Sequence, residues 1–130
     1  MLTLKHRLIS TSTLLVLDIV WISLFMKSRY EIMIKNIQGS NMSTKIVYAF
    51  IAYMLMIIGL NHFVLPRIDV NNVSIQDCLL YGFLFGIVLY GVYDFTIGAV
   101  LKKWDMKLAV TDVFWGGLVY FASCYILRFL

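Results

Sequence analysis

Four stretches of this 130-residue sequence are each long and apolar enough to cross a lipid bilayer. A membrane-spanning α-helix needs about 20 consecutive, mostly apolar residues. Lysine and arginine are absent from all four stretches, which cover residues 8–26, 46–65, 79–101 and 108–127. They predict a single integral membrane domain over residues 1–130, folded as an all-α bundle of four transmembrane helices.

The composition excludes a soluble globular fold. Apolar residues make up 62% of the chain and charged residues only 14%, which leaves too little polar surface for a compact soluble domain. The lipid bilayer is therefore the expected partner. Nucleic acid is not, because the basic residues are spread over short flanks and form no recognition element. Which membrane the multi-pass protein occupies does not follow from the sequence.

The connections between the stretches differ in length and chemistry. The first, residues 27–45, is long, and its amphipathic part at 30–37 predicts a short interfacial helix that Gly39 ends. Pro66 ends the second helix. The third connection, residues 102–107, is so short that helices 3 and 4 must form an antiparallel hairpin.

The distribution of basic residues favours one orientation. With four spans, the first and third connections lie on one side of the membrane, and the termini and the second connection lie on the other. The first side carries Lys27, Arg29, Lys35, Lys45, Lys102, Lys103 and Lys107, and the second carries Lys5, Arg7, Arg67 and Arg128. Because basic residues mark cytoplasmic loops, we expect both termini outside.

Three aspartates interrupt the apolar stretches: Asp18, Asp94 and Asp112. A carboxylate at membrane depth costs about 2.5–3.5 kcal/mol on insertion scales, so each is a candidate functional residue. Counted from the basic connections at 1.5 Å per residue, they lie roughly 13, 12 and 7–8 Å deep. The three helices that carry them would therefore bring them into one layer, as a buried polar cluster.

The neighbours of the aspartates indicate that they face the inside of the bundle. Asp18 and Asp112 each precede a tryptophan by three residues, so acid and indole share a helix face. The expected supporting residues are Trp21, Tyr53, Tyr90, Tyr93, Thr96 and Trp115. Small residues that let helices approach closely surround them: Gly82, Gly86, Gly91, Gly98 and Gly116.

No basic side chain within the stretches can neutralise these carboxylates. Either at least one aspartate is protonated at pH 7, or a cation or a basic group of a substrate lies among them. Whether a metal binds here stays open, but His62 lies at the other end of its helix, at the wrong depth for a ligand. No cofactor is expected.

The two cysteines, Cys78 and Cys124, have no metal-binding spacing. On the expected hairpin they would differ in depth by about 10 Å, which is too far for a disulfide without rearrangement. We therefore expect two separate thiols.

Several motifs together resemble a known family, the small four-helix membrane proteins catalogued as domain of unknown function 2177. The resemblance covers nearly the whole chain and rests on residues 17–21, 63–66, 90–96, 101–104 and 112–116. It departs at Ile97, where the family pattern usually has asparagine, so one polar partner of the site is missing. The resemblance implies a four-helix integral membrane fold and supplies no activity, because the family is uncharacterised.

The sequence alone is compatible with three functions. Layered carboxylates at membrane depth suit a transporter or channel for protons, a small cation or another small solute. Four helices are few for such a pathway, which would then require a homo-oligomer. Alternatively, the aspartates only hold the bundle together in a structural or assembly protein. A membrane-embedded enzyme acting on lipid is the least favoured, and the sequence leaves enzymatic activity open with no catalytic residue assigned.

Overall fold

The computed structural model of the protein describes residues 1–130, which form four long helices and no β-strand. The helices are α1 (Leu4–Gln38), α2 (Ile46–Arg67), α3 (Ile75–Val100) and α4 (Met106–Phe129). Each is long and apolar enough to cross a membrane. The predicted all-α bundle of four transmembrane helices is confirmed.

Three of the four helices begin at a side chain that caps the first turn. Thr3 and His6 form reciprocal hydrogen bonds at the start of α1. The hydroxyl group of Ser74 accepts a hydrogen bond from the backbone N–H of Asp77 at the start of α3. The carboxylate of Asp105 accepts from two backbone N–H groups at the start of α4. These caps satisfy N–H groups that have no partner within the helix.

Helix α1 is longer than the predicted span of residues 8–26. It has 35 residues, or about 52 Å at 1.5 Å per residue, against a hydrocarbon core of about 30 Å. A helix is present where the short interfacial helix is expected, but it continues α1 directly as the segment Lys27–Gln38, here called the α1 extension. Gly39, in the left-handed conformation at φ 74°, ends it.

A π-helical turn at Ile22–Met26 separates the two parts of α1. Such a turn inserts about one extra residue into the α-helical period. Seven residues after Asp18, an uninterrupted α-helix would turn Phe25 toward the bundle. Instead Phe25 is 54% exposed and Met26 is fully buried. The extra residue therefore resets which side of the α1 extension faces the protein.

Helices α3 and α4 form the tight hairpin that the short connection predicts. A Cβ atom built on Gly86 would overlap the backbone carbonyl group of Gly116. One on Gly82 would lie 3.0 Å from the backbone oxygen of Tyr120. The two backbones thus approach as closely as they do because these positions carry no side chain.

The hairpin also brings the two cysteines together, and the expectation that they lie far apart is wrong. Cys78 and Cys124 are both fully buried free thiols that lie close enough to interact with each other. Helix α3 starts earlier than predicted and contains a π-helical segment at Cys78–Phe83. Both features shift the register of the hairpin at this end.

A polar contact joins α1 to α2 near the end opposite the α3–α4 connection. In the π-helical turn of α2, the backbone N–H of Leu65 bonds to the carbonyl of Leu60, five residues earlier. The next carbonyl, that of Asn61, would accept from residue 66 in the same way, but Pro66 has no N–H. The guanidinium of Arg7 donates to it instead, at 2.7 Å.

Loss of this donor should weaken the α1–α2 contact measurably. We expect Arg7→Leu to lower the free energy of unfolding by about 1–3 kcal/mol, because the part-buried Asn61 carbonyl loses its partner. In the Pro66→Ala background the same substitution should cost clearly less, because alanine, unlike proline, supplies a backbone N–H. Thermal unfolding of the two single variants and the double variant in detergent gives the coupling. Equal losses in both backgrounds would rule out this explanation of the Arg7 contact.

Candidate functional site

Asp18 lies in the middle of the bundle and is almost completely satisfied by hydrogen bonds. The hydroxyl group of Tyr90 and the indole N–H of Trp115 donate to its Oδ1, at 2.9 and 3.2 Å. The hydroxyl group of Tyr53 donates to Oδ2 at 2.9 Å. The aspartate is only 3% exposed. We call Asp18 and its three donors the inner aspartate cluster. The cluster joins all four helices through the side chain of Asp18.

The tryptophans of the two Asp-x-x-Trp motifs hold α1 against α4. The rings of Trp21 and Trp115 stack with centroids 4.6 Å apart and planes 9° from parallel. Trp115 also donates to Asp18, so the stack fixes the direction of that donor. The repeated spacing therefore places one indole from each helix at the same contact.

Asp94 and Asp112 form a second group, here called the outer carboxyl pair. Asp94 is fully buried, and neither of its carboxylate oxygens has a hydrogen-bond donor. Its carboxyl group and that of Asp112 face each other within hydrogen-bonding reach. Two ionised carboxylates can only accept hydrogen bonds, so a bond joins them only when one carries a proton.

The two groups lie at neighbouring depths. Asp94 is six residues before the end of α3 and Asp112 six residues after the start of α4, so both lie about 9 Å inside the hairpin. Asp18 meets Trp115, which is one helical turn deeper than Asp112. Asp18 is nevertheless near enough to Asp112 to interact with it electrostatically. The structure thus pairs two of the three aspartates and places the third one turn below them.

The α1 extension covers the outer carboxyl pair. The hydroxyl group of Tyr30 lies near the carboxyl group of Asp112, and its ring packs against Trp104. Met33 is 5% exposed and lies against Trp104 and Ala109. Tyr30 lies outside the predicted spans and is therefore absent from the predicted site. The amphipathic pattern of residues 30–37 predicts a helix around Tyr30. It does not predict that this helix continues α1 and so places Tyr30 over the aspartates.

Two predicted supporting residues are exposed rather than buried with the aspartates. Tyr93 is 55% exposed and packs edge-on against Trp104, although it is near enough to Asp94 and Asp112 to interact with them electrostatically. Thr96 is exposed on the outer face of α3. Both residues neighbour Asp94 in sequence but point to a different side of the helix. Gly98 lies beside Trp104, where a Cβ would come within 3.3 Å of the indole.

Beyond the inner aspartate cluster the bundle interior is mostly apolar. Leu14, Leu60 and Val119 are fully buried there. Two polar side chains in this half donate to backbone oxygens of neighbouring helices: Tyr120 to Met56 at 2.9 Å and Ser10 to Ser123 at 2.6 Å. The site is therefore closed toward the end that carries the termini.

The chain contains no group of three histidine, cysteine, aspartate or glutamate side chains placed to hold a metal ion. The outer carboxyl pair offers two carboxylates, with the phenol of Tyr30 beside them. Such a set can exchange a proton or hold a single positive charge between two acids.

Comparison with known proteins gives a match to a protein family over nearly the whole chain. The model of a family described as "Predicted membrane protein (DUF2177)" matches residues 3–127. No curated protein and no solved structure matches the chain significantly. The family match spans all four helices and both groups of aspartates.

Proposed function

Since the chain belongs to the DUF2177 family of predicted membrane proteins, we propose that its activity takes place within the bilayer and consists of carrying protons through the outer carboxyl pair. Asp94 and Asp112 would take up and release the proton. The inner aspartate cluster would hold the helices in place around them.

The observation that carries this proposal is the unpartnered carboxyl group of Asp94. A buried, ionised carboxylate without a hydrogen-bond donor costs several kcal/mol. Asp94 is fully buried, has no donor and faces a second carboxyl group. Because two like charges in contact cannot both stay ionised, the pair shares a proton or binds a cation. A purely structural aspartate would be expected to have donors, as Asp18 has.

A proton fits this pair better than a metal cation does. Calcium takes six to eight oxygen ligands, and magnesium prefers near-ideal octahedral geometry. The pair provides only two carboxylates, and no third metal-binding side chain joins them. A shared proton needs no more than the two acids themselves.

The surroundings supply access from one side. Asp112 is 9% exposed, whereas Asp94 is fully buried, so Asp112 is the member of the pair that can meet the outside. Tyr30 lies next to it on the side of the basic connections. Toward the opposite side the buried leucine and valine side chains close the bundle, so release there requires α1 or α2 to move.

Asp18 supports the second candidate function, a structural one. Its carboxylate accepts three hydrogen bonds from three other helices. Bonds of this kind between membrane helices contribute about 0.6 kcal/mol each on average. The two functions therefore divide between the aspartates: Asp18 would fasten the bundle, and the outer carboxyl pair would handle the proton.

Proton flux into proteoliposomes tests the proposal. The purified protein would be reconstituted with an internal pH-sensitive dye, and a potassium diffusion potential would drive protons inward. We expect flux through the wild-type protein and only the background rate of protein-free vesicles through Asp94→Asn and Asp112→Asn. An amide cannot release a proton at neutral pH, although it keeps nearly the same shape.

Glu31→Gln is the matched control, because it removes one carboxylate from the exposed side of the α1 extension. Its flux should equal that of the wild type. Unfolding temperatures of all variants would show that the amides do not act by unfolding the bundle. Wild-type flux through Asp94→Asn would overturn the proposal. Flux that follows sodium or potassium and ignores pH would replace the proton with a small cation as the cargo.

A further inference from the structure

A cleft of about 720 Å³ opens between the α1 extension and the start of α4. Arg29 and Asn36 line it from α1, and Lys103 and Lys107 line it from the connection and from α4. The side-chain nitrogen of Lys103 donates to the backbone oxygen of Asn36 at 3.2 Å, which ties the two walls together. This feature, here called the basic cleft, takes no part in the proposed proton path.

The charge of the basic cleft is clearly positive. Three cationic side chains line it, against the single carboxylate of Asp105. That carboxylate already accepts the backbone N–H groups of Lys107 and Leu108 at the start of α4. Arg29 and Lys107 are exposed and line the cleft. The cationic groups therefore outnumber the carboxylates in the cleft by three to one.

Aliphatic side chains lie among the charged ones in the basic cleft. Ile32, Met33 and Leu108 line it together with the charged residues. Ile32 is 65% exposed. A cavity lined by both cations and aliphatic side chains suits the border between lipid headgroups and hydrocarbon.

We propose that the basic cleft binds the phosphate headgroup of an anionic membrane lipid. The guanidinium of Arg29 and the ammonium of Lys107 pair with the phosphate, and the amide of Asn36 adds a neutral donor. The glycerol and the first part of the acyl chains lie along Ile32 and Leu108. A soluble phosphate compound would use the same cations but would gain nothing from these aliphatic side chains.

Lipid-dependent unfolding tests this inference. Delipidated protein in non-ionic detergent would be heated with phosphatidic acid, phosphatidylcholine or inorganic phosphate, and the tryptophan fluorescence would be followed. Phosphatidic acid should raise the unfolding temperature, because a ligand that binds only the folded state stabilises it. Phosphatidylcholine and inorganic phosphate should raise it much less. In the double variant Arg29→Gln and Lys107→Gln, we expect the affinity for phosphatidic acid to fall by about tenfold or more.

The double variant Lys45→Gln and Lys102→Gln is the matched control. It removes the same charge from the same side of the membrane, but neither residue lines the basic cleft. Its affinity for phosphatidic acid should stay within about twofold of the wild type, because charges outside the cleft act only through the general surface potential. Equal losses in the two double variants would overturn the inference in favour of general charge attraction. Equal stabilisation by inorganic phosphate and by phosphatidic acid would overturn the assignment to a lipid.

Discussion

Replacing Gly86 with alanine should push α3 away from α4 and destabilise the bundle by about 1–3 kcal/mol, the usual range for an overpacked contact. The added Cβ would overlap the carbonyl group of Gly116. That group belongs to a helix backbone and cannot rotate away as a side chain could. Thermal unfolding in detergent, followed by tryptophan fluorescence, measures the loss.

Gly91→Ala is the control on the same helix. Its Cβ would meet only the side chain of Val113, at 3.8 Å, which is an ordinary contact. Because alanine favours a helix over glycine by about 0.8–1.0 kcal/mol, Gly91→Ala should leave stability unchanged or raise it. If both variants were equally destabilised, the close approach of the α3 and α4 backbones would not be the cause.

Leucine substitutions should destabilise the protein at Asp18 but not at Asp94. Leucine has the branching of aspartate, with methyl groups in place of the two oxygens, and cannot accept hydrogen bonds. Asp18→Leu should lower the free energy of unfolding by about 2 kcal/mol, from three interhelical bonds of roughly 0.6 kcal/mol each. Asp94→Leu should leave it unchanged or raise it, because it removes a buried polar group without donors.

The same two variants distinguish an effect on folding from an effect on proton transport. Asp94→Leu should be at least as stable as the wild type and yet lack proton flux, a combination expected of a functional residue kept at a cost in stability. A severe loss of stability in Asp94→Leu would contradict this expectation and favour a structural role for the outer carboxyl pair. Unfolding temperatures and proteoliposome flux, measured on the same preparations, decide between the two.

The membrane fold could be predicted because a bilayer allows few alternatives. A backbone in hydrocarbon must satisfy its own hydrogen bonds, so each long apolar stretch becomes a helix. The short connection between residues 102 and 107 then forces α3 and α4 together. The family match over residues 3–127 agrees with the resemblance that motifs on all four helices carry.

The details of register could not be predicted, because they depend on helical turns that depart from the α period. The π-helical turn at Ile22–Met26 puts Met26 rather than Phe25 inside and brings Tyr30 over Asp112. Another at Cys78–Phe83 contributes to the contact between the cysteines. Counting 1.5 Å per residue misses such insertions. It gives approximate depths for the three aspartates but not which side chains pair: Asp94 and Asp112 face each other, whereas Asp18 has donors of its own.

Helix α2 packs against the rest of the protein mainly through its C-terminal part. No residue between Ile46 and Ile58 is buried, whereas Leu60 and Val64 are fully buried beside the Arg7 contact. Along this exposed part, α2 is joined to the bundle by the hydroxyl group of Tyr53, which donates to Asp18, and by the backbone oxygen of Met56, which accepts from Tyr120. Lateral pressure or a change in bilayer thickness that tilts α2 would therefore act on Asp18 through the Tyr53 bond of 2.9 Å. A change in membrane thickness can thus be transmitted through α2 and Tyr53 to Asp18.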